Sequence, residues 1–165
     1  MIQQQTLFPQ IEETKPELVA TPEPQNKIHF VVDGEPVAKG RARTVKNKWT
    51  GDTHSFTPDK TILYENLIKM SFKETHPNQL PLLGMLKIEV IAYFSMPQSA
   101  SNIKREKMLN GEIRPTKKPD ADNIIKIICD ALNRIAYDDD KQVVDVRLQK
   151  FYAEKARISI SIDEI

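Results

Sequence analysis

Four side chains between residues 120 and 140, three carboxylates and one lysine, have the types and spacing needed for metal-assisted phosphoryl transfer. The stretch "KPDADNIIKIICDALNRIAYDDDK" opens with Asp120 and Asp122, places Lys126 one helical turn further on, and closes with Asp138, Asp139 and Asp140. A helix over 121–133 rises about 17 Å from 122 to 133. The seven steps from 133 to 140 span up to about 23 Å. The chain is therefore long enough to return Asp140 beside Asp120 and Asp122. Three carboxylates gathered in this way repel unless a hard cation, Mg2+ or Mn2+, sits among them. Such an ion activates water and neutralises phosphate oxygens, while the Lys126 ammonium stabilises charge added in the transition state.

Each charge also has an ordinary explanation. Asp120 can cap the helix, and Asp122 can complement the positive end of its dipole. Lys126 can pair with Asp122 and Asp130, each pair contributing ~0.2–0.5 kcal/mol. For Asp130 that structural role is the preferred one. Asp122, Lys126, Asp130 and Asn133 form one narrow stripe on otherwise apolar sequence, which predicts a mostly buried helix with a charged seam facing a cleft. The single cysteine, Cys129, lies on the apolar part and reads as core. With one cysteine no internal disulfide can form, so a reducing, cytoplasmic setting is expected. No Cys/His cluster suits zinc, no G-x-x-x-x-G-K-[ST] run suits a nucleotide, and the loop lacks the ligand ladder and glycine of an EF-hand.

The elements that must position these residues follow from periodicity. Residues 1–26, with Pro9, Pro16, Pro22 and Pro24, read as a disordered tail, and 27–165 as one domain. "KIHFVV" reads as a strand. The long polar segment after it holds a hairpin around Gly51. The helix starting at "TPDK" has Thr57 as N-cap and Pro58 in its first position, with positions 63, 67, 68 and 72 and neighbouring Met70 as its buried face. "LGMLKIEVIAYFSM" reads as a strand bounded by Gly84 and Pro97, and "SASNIKREKMLNGE" as a short basic helix closed by Gly111. Val144, Val146 and Leu148, then Ile158, Ile160 and Ile162, alternate with polar residues as two half-buried strands. The short link 153–156 makes these two an antiparallel hairpin. The expected fold is α+β, a mixed sheet of about four strands with helices packed on it.

The formal charge of +1 hides a segregation. Residues 33–48 carry five Lys/Arg against two acids, and residues 104–118 carry six against two. Residues 120–145 carry seven Asp against three cations. That distribution suits a protein that holds a polyanion and concentrates carboxylates where a metal sits. No apolar run approaches the ~20 residues of a membrane span, and the N-terminus shows no secretory signal.

"KPDADNIIKIICDALN" followed by "YDDDKQVVDVRLQK", with the opening "GEPVAKGRAR", resembles the RusA family of Holliday-junction resolvases over about 28–163. The resemblance implies a Mg2+-dependent endonuclease that binds four-way DNA as a homodimer and resolves it by paired, symmetric nicks. It assigns Asp120, Asp122 and Asp140 as metal ligands and Lys126 as the catalytic lysine. Three consecutive Asp stand where the family shows two, so the choice between Asp139 and Asp140 stays open. Lys39, Arg41, Arg43, Lys117 and Lys118 are then expected on DNA phosphates, which position without reading sequence. Trp49 and Tyr137 could stack on bases, though packing in the core or a loop is the expected role for both. Gln4–Phe8, "QQTLF", is similar to peptides that dock on the replication sliding clamp. The alternative function is a branched-DNA binder or clamp-associated adaptor that does not cut. A small-phosphoester hydrolase is disfavoured by the two basic segments.

Overall fold

The computed structural model describes residues 27–41 and 43–165, with backbone alone for Arg43, Val45, His54 and Phe56. The segment 1–26, with the peptide Gln4–Phe8, lies outside the described residues.

Period-two alternation places one apolar row per strand on a common face. These rows are Ile28, Phe30 and Val32 of β1 (Lys27–Asp33), Leu86 to Phe94 of β4 (Leu86–Ser95), and Ile158, Ile160 and Ile162 of β6 (Arg157–Glu164). With β5 (Val143–Ala153) they form a four-stranded sheet in the order β1-β6-β4-β5. Strand β6 is antiparallel to both β1 and β4, and β5 is parallel to β4, so the sheet is mixed as expected. Helices α1 (Asp59–Thr75) and α3 (Ala121–Leu132) pack on each other and feed the same core. A third helix, α2 (Asn102–Leu109), packs on β5 and ends at Gly111, whose φ of 77° is a left-handed value that favours glycine. A separate two-stranded hairpin, β2 (Arg43–Lys46) and β3 (Thr53–Phe56), turns at Gly51 as the sequence predicted. No helix among the described residues is long and apolar enough to cross a membrane.

Four local expectations are corrected. Strands β5 and β6 are not a hairpin: β4 lies between them. Their link leaves β5 at Ala153, opposite Ser95, and enters β6 at Arg157, opposite Tyr93, so it steps over the end of β4. Four Cα–Cα steps reach about 13 Å, enough to pass one strand at ~4.8 Å spacing on each side. Second, the buried face of α1 is Thr61, Tyr64, Ile68 and Phe72, while Leu63, Leu67 and Met70 remain exposed. Phe72 meets Phe30 of β1 edge-on at 5.6 Å, which fixes the rotation; Leu63 and Leu67 are just as helical in spacing, so periodicity alone could not choose. Third, Pro58 rather than Thr57 is the α1 N-cap, with its carbonyl accepting from the Thr61 and Ile62 amides. Fourth, Val144 and Val146 are exposed, because β5 is the sheet edge and only Val143, Leu148 and Tyr152 of it reach the core.

Candidate active site

Helix α3 buries Ile124, Ile127, Ile128, Ala131 and Leu132. At ~1.5–3 kcal/mol for each large side chain, these contacts fix its rotation and leave the charged stripe outward. Asp120 is the N-cap, with extended backbone, but its carboxylate makes no capping bond. Asp122 is exposed and, among the described residues, accepts only from the side-chain amide of Asn123, at 3.3 Å. Among the described residues Lys126 has no carboxylate within ion-pair distance, so its expected pairing with Asp122 and Asp130 is absent.

The partner of Asp130 is Lys39. Its ammonium lies 2.5 Å from Glu65 of α1 and 2.7 Å from Asp130 of α3. Burial alone pulls the pKa of Lys39 down, but hydrogen bonds and charge from Asp130 and Glu65 outweigh it and raise the pKa above the ordinary lysine value. The same loop is tied by its backbone, with the Lys39 amide donating to the Asn123 carbonyl at 3.0 Å and the Gly40 amide to the Thr61 hydroxyl at 3.1 Å. A Cβ at Gly40 would stand 2.6 Å from that hydroxyl oxygen, so glycine is what lets the loop approach. Arg41 follows directly. It lines two adjoining depressions that share Lys39, Arg41 and Asn123. One depression also carries Lys118 and Asp120, and the other Asp122 and Lys126. Together they make one groove with two carboxylates and several cations at the N-terminal end of α3.

The approach to Asp120 is held from β5. Lys150 donates to the carbonyls of Lys117 and Pro119, at 2.7 and 3.0 Å. Lys117 is exposed, with its ammonium about 6 Å from the rings of Phe94 and Tyr152, and Lys118 is exposed on the groove. The backbone of Arg43 belongs to β2, two residues beyond Arg41.

Asp140 begins a short 3-10 turn, Asp140–Gln142, before β5. Asp139 caps this turn: its carboxylate accepts from the Lys141 amide at 3.0 Å, and that bond holds its pKa below the ordinary carboxylate range. The Gln142 side chain completes the lock, accepting from the Asp139 amide and donating to the carbonyls of Leu82 and Gly84. Asp140 has no such role. Its charge is felt at Cys129 and Tyr137, whose pKa values are raised chiefly by burial and further by Asp140 and Asp130. Among the described residues no three His, Cys, Asp or Glu side chains are grouped so as to hold a metal ion. Asp120 and Asp122 share the groove, and Asp140 is not gathered with them.

Tyr137 is fully buried and donates to the Cys129 carbonyl, the core role expected of it. Trp49 does the opposite of what was expected, standing exposed in the β2–β3 turn. Glu65, Thr61, Lys150 and Gln142 position the site without any motif to mark them. The one available signal was for Gln142, three residues after Asp139 as a capping box requires.

Paired carboxylates and cations that share one groove suit a phosphodiester held through a hard cation. Residues 33–163 match the family description "Endodeoxyribonuclease RusA". The chain belongs to that family, and is a nuclease of the Holliday-junction-resolvase type. It is also 40% identical over 141 residues to the uncharacterized protein YqaN of Bacillus subtilis (strain 168), covering 84% of this chain and 96% of that protein.

Proposed function

We propose that this groove is the catalytic centre of a Mg2+-dependent endonuclease that resolves four-way DNA junctions as a homodimer, nicking two strands of like polarity. The observation that carries the reading is that Asp120 and Asp122, engaged neither in capping nor, among the described residues, in an ion pair, open on the same groove as Arg41, Lys118 and Lys126. Their donor chemistry fits Mg2+, which is commonly held by one or two carboxylates, several waters and the substrate's phosphates. When bound there, the ion supplies an activated water and neutralises phosphate oxygens. Mn2+ has the same oxygen preference and is the expected substitute.

Lys126 stabilises the charge that develops on the attacked phosphate. Arg41, Lys117 and Lys118 grip flanking phosphates, and Arg43, two residues beyond Arg41 in sequence, is a further candidate. Lys39, held between two carboxylates, braces Arg41 more than it meets DNA. Asp140 is not gathered with Asp120 and Asp122 here, but as a third carboxylate it is a better candidate than Asp139, because capping already engages the latter. A two-fold dimer supplies the two active sites that paired cuts require.

The test is cutting of a labelled synthetic four-way junction, with a linear duplex of the same sequence as control, in Mg2+ and in EDTA. Symmetric paired nicks in the junction with Mg2+ only are expected. Tight binding without nicks in Mg2+ or Mn2+ overturns the reading in favour of a non-cleaving binder of branched DNA.

A further inference from the structure

Trp49 is 95% exposed, the most exposed of the large apolar side chains among the described residues. It sits in the turn of the β2–β3 hairpin, flanked by exposed Lys46 and Lys48. The turn is well defined. The Asn47 amide donates to the Asp52 carbonyl at 2.7 Å, the Gly51 amide to the Asn47 carbonyl at 3.0 Å, and the Trp49 amide to the Asn47 side chain at 2.9 Å. A two-stranded hairpin is marginal alone, so its tethers matter. Its one end leaves from Arg41 and its other arrives at Thr57, and both residues line the depression that holds Asp122 and Lys126. Lys39 and Gly40 strap the first end to α1 and α3. The indole is therefore carried on an arm rooted in the wall of the groove, with cations on either side of it.

We propose that the hairpin is a stacking arm, and that Trp49 stacks on a base face left unstacked at the branch point or in single-stranded DNA held in the groove, while Lys46 and Lys48 meet the adjoining phosphates. The chemistry is that of single-strand recognition, in which an aromatic face takes a base and neighbouring cations follow the backbone. A paired, stacked duplex offers the indole no face. The arm therefore favours open or branched DNA over linear duplex. This inference rests on reading the groove as a DNA site, and it adds the element that senses the substrate's interrupted stacking.

Trp49 is the one tryptophan in the chain, so its fluorescence reports on the arm alone. The full-length protein is titrated in EDTA with a four-way junction, a linear duplex and a single-stranded oligo-dT, with gel-shift binding measured in parallel. Quenching by junction and oligo-dT, and little by bound duplex, is expected. Trp49→Ala should weaken oligo-dT binding about tenfold, and Trp49→Phe should restore most of it. Unquenched emission while the gel shift shows junction and oligo-dT bound overturns the proposal, as does equal quenching by duplex. A blue shift that grows with protein concentration without DNA also overturns it, because the indole then meets protein. Quenching by oligo-dT in a protein that neither binds nor cuts junctions supports the arm and overturns the resolvase reading. Junction cutting with an unquenched Trp49 does the reverse.

Discussion

The two acidic turns of this molecule, 120–122 and 138–140, bracket the same helix and differ in what their carboxylates do. At the first, Asp120 occupies the N-cap without using its side chain, and Asp122 lies exposed on a groove lined by cations. At the second, Asp139 caps a 3-10 turn that Gln142 ties to Leu82 and Gly84. Charge density is similar in the two places. What distinguishes them is whether the backbone already uses the carboxylate. Aspartates left idle at a helix start, facing lysines and arginines, are available for an ion and a phosphate; a capping aspartate is not.

Lys126→Met should give the largest loss on the first side of the comparison. A single-turnover junction assay should show a fall of about 10²-fold, the scale of removing one preorganised electrostatic donor, with gel-shift affinity nearly unchanged. A smaller but sharper contrast separates the two candidates in the second turn. Asp140→Asn should slow cutting while leaving the melting temperature in place. Asp139→Ala should lower the melting temperature, since a cap is lost, and cut at close to the normal rate. If the two variants exchange these behaviours, the third carboxylate is Asp139.

Lys39→Met probes the loop that joins the groove to α1 and α3. It leaves Glu65 and Asp130 without their cation, which should cost about 1–2 kcal/mol in denaturant unfolding, at the low end because the group is partly solvated. The pH dependence has a definite sign. A lysine with a raised folded pKa contributes its full stability below the unfolded value of ~10.4 and loses that contribution as pH climbs through the folded value. The melting-temperature gap between wild type and Lys39→Met should be constant around neutrality and narrow in strong alkali. Glu65→Gln with Asp130→Asn adds charge of the sign that favours DNA, yet should reduce cutting in the same way as Lys39→Met if the brace is what matters.

Much of this architecture was legible in the sequence. Strands β1, β4 and β6 alternate cleanly because one face is buried along their whole length, and the glycines at 51 and 111 marked the β2–β3 turn and the end of α2. The stripe on α3 was visible because everything around it is apolar. Long-range choices were not visible. Nothing local says that β6 pairs with β1 and β4 instead of β5, because the three-residue link suits a hairpin and a step over one strand equally well. The rotation of α1 was ambiguous for the same reason: Leu63 and Leu67 match helical spacing as well as Ile68 and Phe72, and only Phe30 across the interface decides. At the site, Asp120, Asp122 and Lys126 could be named from spacing, but the ties that aim Arg41 come from Thr61, Glu65 and Asn123, distant in sequence and ordinary in type. Chain length allowed Asp140 to return to Asp120, and length alone did not bring it there.

The most direct measurement is single-turnover cutting of a labelled four-way junction by the Asp120→Asn/Asp122→Asn double variant, in Mg2+ and at protein concentrations that saturate binding. The double variant should bind as tightly as wild type, or more tightly, and yield no nicked product. Product formed at the wild-type rate would contradict the assignment of these two carboxylates to the chemistry.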